Sequence, residues 1–473
     1  MQISRRTLIG TGLAAAALPA TRLVAGARAD DIDILRKAYT AMHPGLYRYA
    51  TPAQVDARLD TLDAAFQRTE DLAARYLALS RFCWTVRCGH TYANFYNQKR
   101  AVQERLFGGR DRLPFRFRWI GRTMVVLDDG VLPRGTEVLR IDGRPAPTIL
   151  AALLPLARAD GHNDDKRRSL LGVEGRDEWE SFDIYYPLVF GSRDRYSLDV
   201  RLPNGRRRRL SVDAIDLAGR RAMRPKAADE ESRGWQLEHR GRTAVLTMPD
   251  WGLYDSKWDW KGWIAAAMDE LARRGSTGLV IDLRANEGGL DCGDEIVARL
   301  IDAPLQEEPL SRRTRYRRAP AELEPYLDTW DKSFLDWGDD ARPRGDGFYE
   351  LSRWSEVSTI KPAGPRFRGA VVVLTSPVNS SATFQFANLI RRQALGRLVG
   401  QPTGGNRRGI NGGAYFFLRL PGGLEVDLPL IGYFPARPQP DAGLVPNVSV
   451  AQTAADIAAG RDRTLGEALA LLA

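Results

Sequence analysis

Strands and helices alternate through the C-terminal half of the chain, and this alternation constrains the fold more than any other feature. Short apolar runs are each followed by a longer segment, mostly of helical period, and the successive runs are RTAVLTM, TGLVIDLR, GAVVVLTS and GRLVG. Strands that are apolar on both faces and separated by helices are typical of a mainly parallel sheet covered by helices. The sequence therefore predicts an α/β core, whose ligand sites lie beyond the carboxyl ends of the strands.

Two of these strand ends carry residues suited to acyl transfer. After LVIDLR comes ANEGGLDCG, where Gly288 and Gly289 let backbone N–H groups approach a ligand closely. After VVVLTS comes PVNSSATFQFANLI, which predicts a sharp turn into a helix with Ser381 near its start. A serine at the positive end of a helix, beside a loop of backbone donors, suits a nucleophile. Taken singly, Ser381 is better explained as a helix N-cap, and the glycine pair as a turn.

The period of the apolar residues divides the mature chain into regions. We place them at 30–112 (helical), 113–217 (β-rich), 218–234 (polar, structureless linker) and 235–473 (α/β core). The helical region ends at CGHTYANF and carries His90. An insertion rich in Trp and Arg interrupts the core at about 305–366. It is typical either of a lid or cleft wall that binds extended chains or of an excursion covering a sheet edge.

The first residues predict a twin-arginine signal peptide at 1–29 and hence a periplasmic protein. Arg5 and Arg6 precede a weakly apolar stretch and a small-x-small ending, and the apolar run is shorter than the roughly 20 residues that span a bilayer. Cleavage after Ala29 removes four arginines and no acid, which lowers the formal charge from +10 to +6. Because the remaining arginines are dispersed and no zinc-finger or RNA-binding motif occurs, we expect no nucleic-acid partner and no integral membrane segment in the mature protein.

Seven short motifs run colinearly from residue 43 to residue 450. They are HPGLYRY, CGHTYANF, GTEVLRIDGRPA, VIDLRANEGG, LTSPVNSSATF, LVGQPTGGN and DAGLVPNVSV. In this order they resemble the tail-specific and carboxyl-terminal-processing serine peptidases, most closely the tricorn-core-like branch. The resemblance implies an α/β crotonase-like spiral core, a helical N-terminal domain and a β-rich PDZ-like module. It also implies that Ser381 is the nucleophile and that the backbone of Gly288, Gly289 and Ala382 donates to the oxyanion.

The sequence departs from this family at two places. Relatives commonly carry Glu three residues after the nucleophile, where this chain has Phe384. The processing branch also uses a lysine base downstream of the serine, but no Lys occurs from Ser381 to the C-terminus, and arginine cannot accept the proton. The tricorn-like pattern instead implies His90 as the base and, near its acid position, Asp441. Without the resemblance, His90 is explained as a helix-end histidine and Asp441 as a turn residue.

Cysteine and histidine usage adds little chemistry. Cys83, Cys88 and Cys292 allow at most one disulfide, and Cys88 with Cys292 is the better candidate because both lie near the predicted site. Three buried thiols are an equally good explanation. No Cys or His spacing is typical of a metal site, so we expect neither metal nor cofactor.

These observations together predict an exported serine peptidase. It would hydrolyse peptide bonds in peptides or unfolded proteins through Ser381 and His90, with an acidic limb of activity near pH 6 to 7 set by an unperturbed imidazole of pKa about 6.5. Two alternatives stay open at this stage. One is a catalytically silent relative that binds peptides or other ligands, and the other is a hydrolase of a non-peptide ester or amide.

Overall fold

The computed structural model describes residues 27–225, 232–306, 310–352 and 359–473. The predicted signal peptide therefore lies almost entirely outside the described residues, as do parts of the predicted linker and insertion. The helices are α1 (Ala27–Met42), α2 (Pro52–Gln67), α3 (Leu72–Val86), α4 (Arg100–Phe107), α5 (Ala146–Leu153), α6 (Asp164–Leu170), α7 (Ser181–Phe190), α8 (Leu217–Ala222), α9 (Trp260–Arg273), α10 (Cys292–Val297), α11 (Ser381–Arg392), α12 (Ala454–Ala458) and α13 (Arg463–Ala470).

The strands are β1 (Phe117–Ile120), β2 (Thr123–Val126), β3 (Glu137–Ile141), β4 (Arg144–Pro145), β5 (Arg195–Arg201), β6 (Arg207–Asp213), β7 (Gln236–Arg240), β8 (Thr243–Thr247), β9 (Gly278–Asp282), β10 (Leu305–Gln306), β11 (Leu310–Thr314), β12 (Leu327–Asp328), β13 (Ala341–Pro343), β14 (Tyr349–Leu351), β15 (Thr359–Ile360), β16 (Ala370–Thr375), β17 (Arg397–Gly400), β18 (Asn411–Arg419), β19 (Glu425–Pro435) and β20 (Val448–Ser449). Helices and strands are thus mixed along the chain, which confirms the α/β class.

The central sheet has the predicted parallel arrangement. Its strand order is β20-β17-β16-β9-β8-β7, and every neighbouring pair is parallel except the edge pair β7–β8. Along β9, Leu279 and Ile281 pack into the cluster that contains α9, α10 and α11, whereas Val280 packs into the cluster on the other face. The near-continuous apolar strands are explained by this burial on both faces. The carboxyl ends of β9 and β16 are adjacent, so the loops that follow them meet.

The β-rich region forms an antiparallel sheet of order β1-β2-β3-β5-β6, with β4 paired to β3. The prediction of a structureless linker after it is wrong for the described part. Residues 217–222 form α8, capped by the Asp216 side chain, which accepts from the Gly219 N–H at 2.8 Å. Arg220 is buried and donates to Asp183 of α7 at 2.7 Å and 3.1 Å. This buried ion pair fixes α8 against α7.

The described part of the insertion lies along both edges of a long hairpin that the sequence did not predict. The hairpin is β18–β19, and the sheet order is β12-β18-β19-β11-β14-β13. Strand β12 extends the β18 edge, and β11 extends the β19 edge. Covering exposed strand edges removes unpaired backbone groups from solvent.

The N-terminal helices do not have a core of their own. Tyr39 of α1 donates its hydroxyl to the Asp427 carbonyl of β19 at 3.1 Å, and one apolar cluster joins α1–α3, the β-rich sheet and the β18–β19 sheet. The end of α3, where His90 follows, is therefore packed against distant parts of the chain. Within the described ranges, no helix has both the length and the apolar character needed to cross a membrane.

Candidate active site

The turn between β16 and α11 is held by Asn379, which is fully buried. Its side-chain amide donates to the carbonyls of Leu283 and Asn286, at 2.5 Å and 2.9 Å, and so ties this turn to the loop after β9. Its own carbonyl accepts from the N–H groups of Gly404 and Gly405. Because each of these groups is satisfied inside the protein, the turn is rigidly connected to its neighbours.

Ser381 is the first residue of α11 and is not its N-cap. Ser380 occupies the N-cap position and makes no side-chain capping bond. Ser381 has φ +51°, in the left-handed region that non-glycine residues seldom adopt, and its side chain is half-buried. Among the described residues, no group forms a hydrogen bond with its hydroxyl. The capping explanation of Ser381 therefore does not hold, and a strained conformation at this position is a reason to consider function.

The glycine pair lies directly against Ser381. A Cβ added to Gly288 would stand 2.8 Å from the Ser381 Cβ and 3.3 Å from the Ala382 nitrogen. Gly288 donates its own N–H to the side-chain oxygen of Asn286 at 2.9 Å, so this N–H is already engaged. The described residues offer no acceptor to the N–H of Gly289 or to that of Ala382 at the helix start. Of the predicted oxyanion donors, these two N–H groups are the free ones.

His90 lies just beyond α3. Its Nδ1 atom is buried and has no hydrogen-bond partner in the described structure. Its ring lies 6.1 Å from the Tyr415 ring, and its Cε1 is 3.8 Å from where a Gly412 Cβ would be. Burial lowers the pKa of His90 well below its usual value, and the nearby Lys166 and Arg158 cations act in the same direction. The imidazole is therefore neutral at physiological pH, as a general base must be.

His43 fixes the segment that follows His90. The N–H of Gly45 donates to His43 Nδ1 at 3.1 Å, so the neutral ring carries its proton on Nε2 and donates to Thr91 Oγ1 at 2.8 Å. Burial lowers the pKa of His43 to about 3. His43 therefore has a structural role.

The structure places Asp441 against His162 instead of His90. Asp441 Oδ2 is 2.6 Å from His162 Nδ1, and Asp441 Oδ1 accepts from Asn406 Nδ2 at 2.6 Å. Burial works against ionisation of Asp441, but the hydrogen bonds from His162 and Asn406 hold its pKa below the usual value. Within the described residues Asp441 has no hydrogen bond to His90, so the geometry does not support it as the orienting acid. Spacing from the GLVP motif could not distinguish between the two histidines.

Lys166, which was not predicted from the sequence, lies beside the turn between β16 and α11. This buried ammonium group is 2.5 Å from Ser380 Oγ and 2.9 Å from Glu287 Oε1. Glu287 also binds Arg158, whose Nη1 and Nη2 lie 2.8 Å and 2.9 Å from its two oxygens. Burial lowers the pKa of Lys166, and although burial opposes ionisation of Glu287, the two cations hold its pKa well below its usual value. The sequence pattern did not reveal Lys166 because this residue lies upstream of Ser381, in a polar insert of the β-rich region.

The three cysteines are free and buried, so the disulfide between Cys88 and Cys292 is not formed. Cys88 Sγ instead accepts from Asn411 Nδ2 at 3.2 Å. Burial raises the pKa of Cys88, and it raises that of Cys83 and of Cys292 out of the physiological range. These thiols are protonated packing groups. Among the described residues, no three His, Cys, Asp or Glu side chains are grouped so as to hold a metal ion.

A cavity of about 400 Å³ opens along α11, from Phe384 to Arg392. Phe384 lines it together with Leu389, Ile410 and Tyr433, and Arg407 lies at the same cavity. Phe384 is the residue that replaces the Glu common among relatives. The substitution gives the cavity an apolar wall one helical turn from Ser381, where a bound side chain could pack.

Comparison with known proteins identifies similar chains and folds. Residues 242–437 match the model of peptidase family S41. The fold is similar to that of mature CPAF complexed with lactacystin (14% identity, TM-score 0.63, covering 94% of this chain and 97% of that one) and to another structure of mature CPAF (16%, 0.58, 92% and 94%). The photosystem II D1 C-terminal processing protease is also similar (13%, 0.43, 90% and 94%). No curated protein sequence matches.

Proposed function

We propose that this chain is a serine-type peptidase of family S41, the family whose model residues 242–437 match, with Ser381 as its nucleophile and His90 as its general base. The observation that carries the proposal is the state of Ser381. Its hydroxyl has no hydrogen-bond partner among the described residues, at a helix start with φ +51°, and it faces Gly288. A serine held in this way has no structural role that explains its strained backbone.

The proposed reaction is acyl transfer in two halves. His90, neutral because desolvation lowers its pKa, takes the proton of Ser381 Oγ as that oxygen attacks the carbonyl carbon of the scissile peptide. The negative charge that develops on the carbonyl oxygen is stabilised by the N–H groups of Gly289 and Ala382. His90 then gives its proton to the leaving amine, and a water molecule, activated by the same imidazole, hydrolyses the acyl-enzyme.

Gly288 contributes space to this arrangement. Because its N–H is bound to Asn286, it is not assigned to the oxyanion, in contrast to the sequence-based prediction. A side chain at this position would fill the volume between Ser381 and the Ala382 N–H, where the oxyanion is to be held.

The experiment compares His90→Gln with His239→Gln, using hydrolysis of a labelled unfolded protein as the readout. Glutamine is close in size to histidine but cannot take the proton, so His90→Gln should lose about 10²- to 10⁴-fold in kcat. His239 lies on edge strand β7 and pairs with Glu270 at 3.1 Å, outside the site, so its variant should have normal activity. Near-normal turnover by His90→Gln would reject the assigned base.

The proposal also covers the export route and the fold family of each domain. We propose periplasmic delivery through the twin-arginine route, because Arg5 and Arg6 precede a weakly apolar stretch. Changing both to Lys should leave the precursor in the cytoplasm, and unchanged periplasmic accumulation would reject this route. We also propose that the parallel core is the crotonase-like spiral of the resembling family and that the β1–β6 sheet is its PDZ-like module.

A further inference from the structure

The segment Arg158–Lys166, here called the bridging segment, runs from the β-rich region into α6 and contacts both halves of the active site. We infer that it is a positioning element, which sets the distance between His90 and Ser381 by binding the residue before each of them. The inference rests on the proposed function, because it takes His90 as base and Ser381 as nucleophile. The positioning residues are those of the bridging segment, and they touch neither substrate nor reacting atoms.

On the side of the base, the bridging segment binds both polar groups of Gly89. Asp160 Oδ1 accepts from the Gly89 N–H at 2.8 Å, and Arg158 Nη1 donates to the Gly89 carbonyl at 3.2 Å. The Gly161 N–H also donates to the Arg87 carbonyl at 2.8 Å. The backbone immediately before His90 is therefore fixed at three points, and a side chain at Gly89 would collide with Asp160 at 2.8 Å.

On the side of the nucleophile, the segment ends in Lys166. Its ammonium group binds Ser380, the residue before Ser381, at 2.5 Å and Glu287, the residue before Gly288, at 2.9 Å. Ser380 Oγ in turn donates to the Glu287 carbonyl at 2.9 Å. Lys166 thus holds together the turn that carries the nucleophile and the loop that carries the oxyanion donors.

Arg158 joins the two sides directly. The same guanidinium binds the Gly89 carbonyl and both oxygens of Glu287, and it stacks on the Tyr92 ring with 4.8 Å to the centroid. The base comes from the helical region and the nucleophile from the α/β core, which are far apart in sequence. A planar, bidentate side chain between them restricts their separation more tightly than apolar packing would.

Lys166 is a positioning residue and not a second base. Its bonds go to Ser380 and Glu287, and none is described to Ser381. Ser380 itself is 2% exposed, and its hydroxyl already donates to a carbonyl, so a substrate cannot reach it as it reaches Ser381.

The test is Lys166→Met, with Lys261→Met as the matched control. Lys261, exposed on α9, forms a Lys–Glu pair of the same length, 2.9 Å, with Glu295 of α10. A shift of about 1 Å between reacting groups costs about 10²-fold, so Lys166→Met should lower kcat by about that factor with KM changed less than about threefold. Lys261→Met should leave both constants unchanged. Retention of kcat within threefold in Lys166→Met would overturn the inference.

The acidic limb of the pH profile gives a second readout. The charged groups that act on His90 include the Lys166 and Arg158 cations and the Glu287 carboxylate. Removing the ammonium should raise the pKa of His90, so the limb of Lys166→Met should move to higher pH. A residue that only supported the fold would lower activity without moving this limb, and that result would also overturn the inference.

Two further variants separate failure of the inference from failure of the proposed function. In a His90→Gln background, Lys166→Met should cost much less than alone, because the base that it positions is gone; an undiminished loss would overturn the inference while leaving the base assigned. A fluorophosphonate label on Ser380 would instead overturn the proposed nucleophile. Should Lys166→Met fail to fold, Glu287→Gln keeps the volume and weakens the same contacts. It should lower kcat at least tenfold, and normal kcat there would count against the inference.

Discussion

Replacing Gly288 by alanine should disable the enzyme while leaving it folded. The new Cβ would stand 2.8 Å from the Ser381 Cβ and 2.9 Å from the Ser380 carbonyl oxygen. Carbon atoms in contact prefer about 3.5–4.0 Å, so about 1 Å of overlap must be relieved. Gly288 also has φ +121°, which an alanine adopts only under strain. Strain and overpacking each cost about 1–3 kcal/mol, so the free energy of unfolding should fall by about 2–6 kcal/mol.

The loss of activity should exceed what the loss of stability explains. Overlap is relieved by moving the glycine loop away from Ser381, which takes the Gly289 N–H out of reach, and one oxyanion donor is worth about 10²–10³-fold in kcat. Gly205→Ala is the control, since Gly205 has φ +84° in the β5–β6 turn but no atom within 4 Å of its added Cβ. It should show only the backbone strain, measured by urea unfolding, and normal kcat in peptide hydrolysis. Normal kcat in Gly288→Ala would refute the reasoning.

Three further predictions concern titratable groups. Because the pKa of His90 is depressed, kcat/KM should persist below pH 6.5, contrary to the expectation from an unperturbed imidazole. If the pH–rate profile instead shows kcat/KM falling with an apparent pKa of about 6.5 or higher, the lowered pKa of His90 is contradicted. The pKa of His43 is lowered to about 3, so below about pH 6.5 the unfolded chain binds more protons than the folded one. The free energy of unfolding should therefore fall by roughly 2 kcal/mol at pH 5. If His43→Gln keeps the full pH dependence in urea titrations, His43 is excluded as the cause of this fall. Asp441→Asn should lower kcat less than tenfold, because Asp441 binds the exposed His162, and a loss near 10⁴-fold would restore Asp441 as the orienting acid.

The parallel core was predictable because the apolar pattern that specifies it lies within each strand. Strands buried on both faces must be almost continuously apolar, and β9 and β16 are, so a mainly parallel sheet with its sites at the carboxyl ends of the strands was expected from the sequence. The start of a helix at Ser381 was visible in the same way. What the pattern could not give was the conformation of Ser381, since a nucleophile and an N-cap prefer the same residue type at the same place.

The polar connections were not predictable because each joins residues far apart in the chain. Lys166 lies 214 positions before Ser380, in a segment whose charged composition resembles a solvated loop. Its burial depends on Glu287 and Arg158 being brought to it by the fold. The partner of Asp441 was not predictable for a related reason, since a carboxylate's partner is decided by which histidine the tertiary structure places within hydrogen-bond distance.

The assignment of Ser381 as the nucleophile is tested most directly by labelling with a fluorophosphonate probe, followed by peptide mapping. The reagent attaches to the serine whose oxygen is activated and leaves other serines unmodified. The account predicts one labelled residue, Ser381, with labelling abolished in Ser381→Ala and retained, if slower, in Ser380→Ala. A label on Ser380, or labelling that survives in Ser381→Ala and vanishes in Ser380→Ala, would contradict it and make Lys166 the base of a different serine.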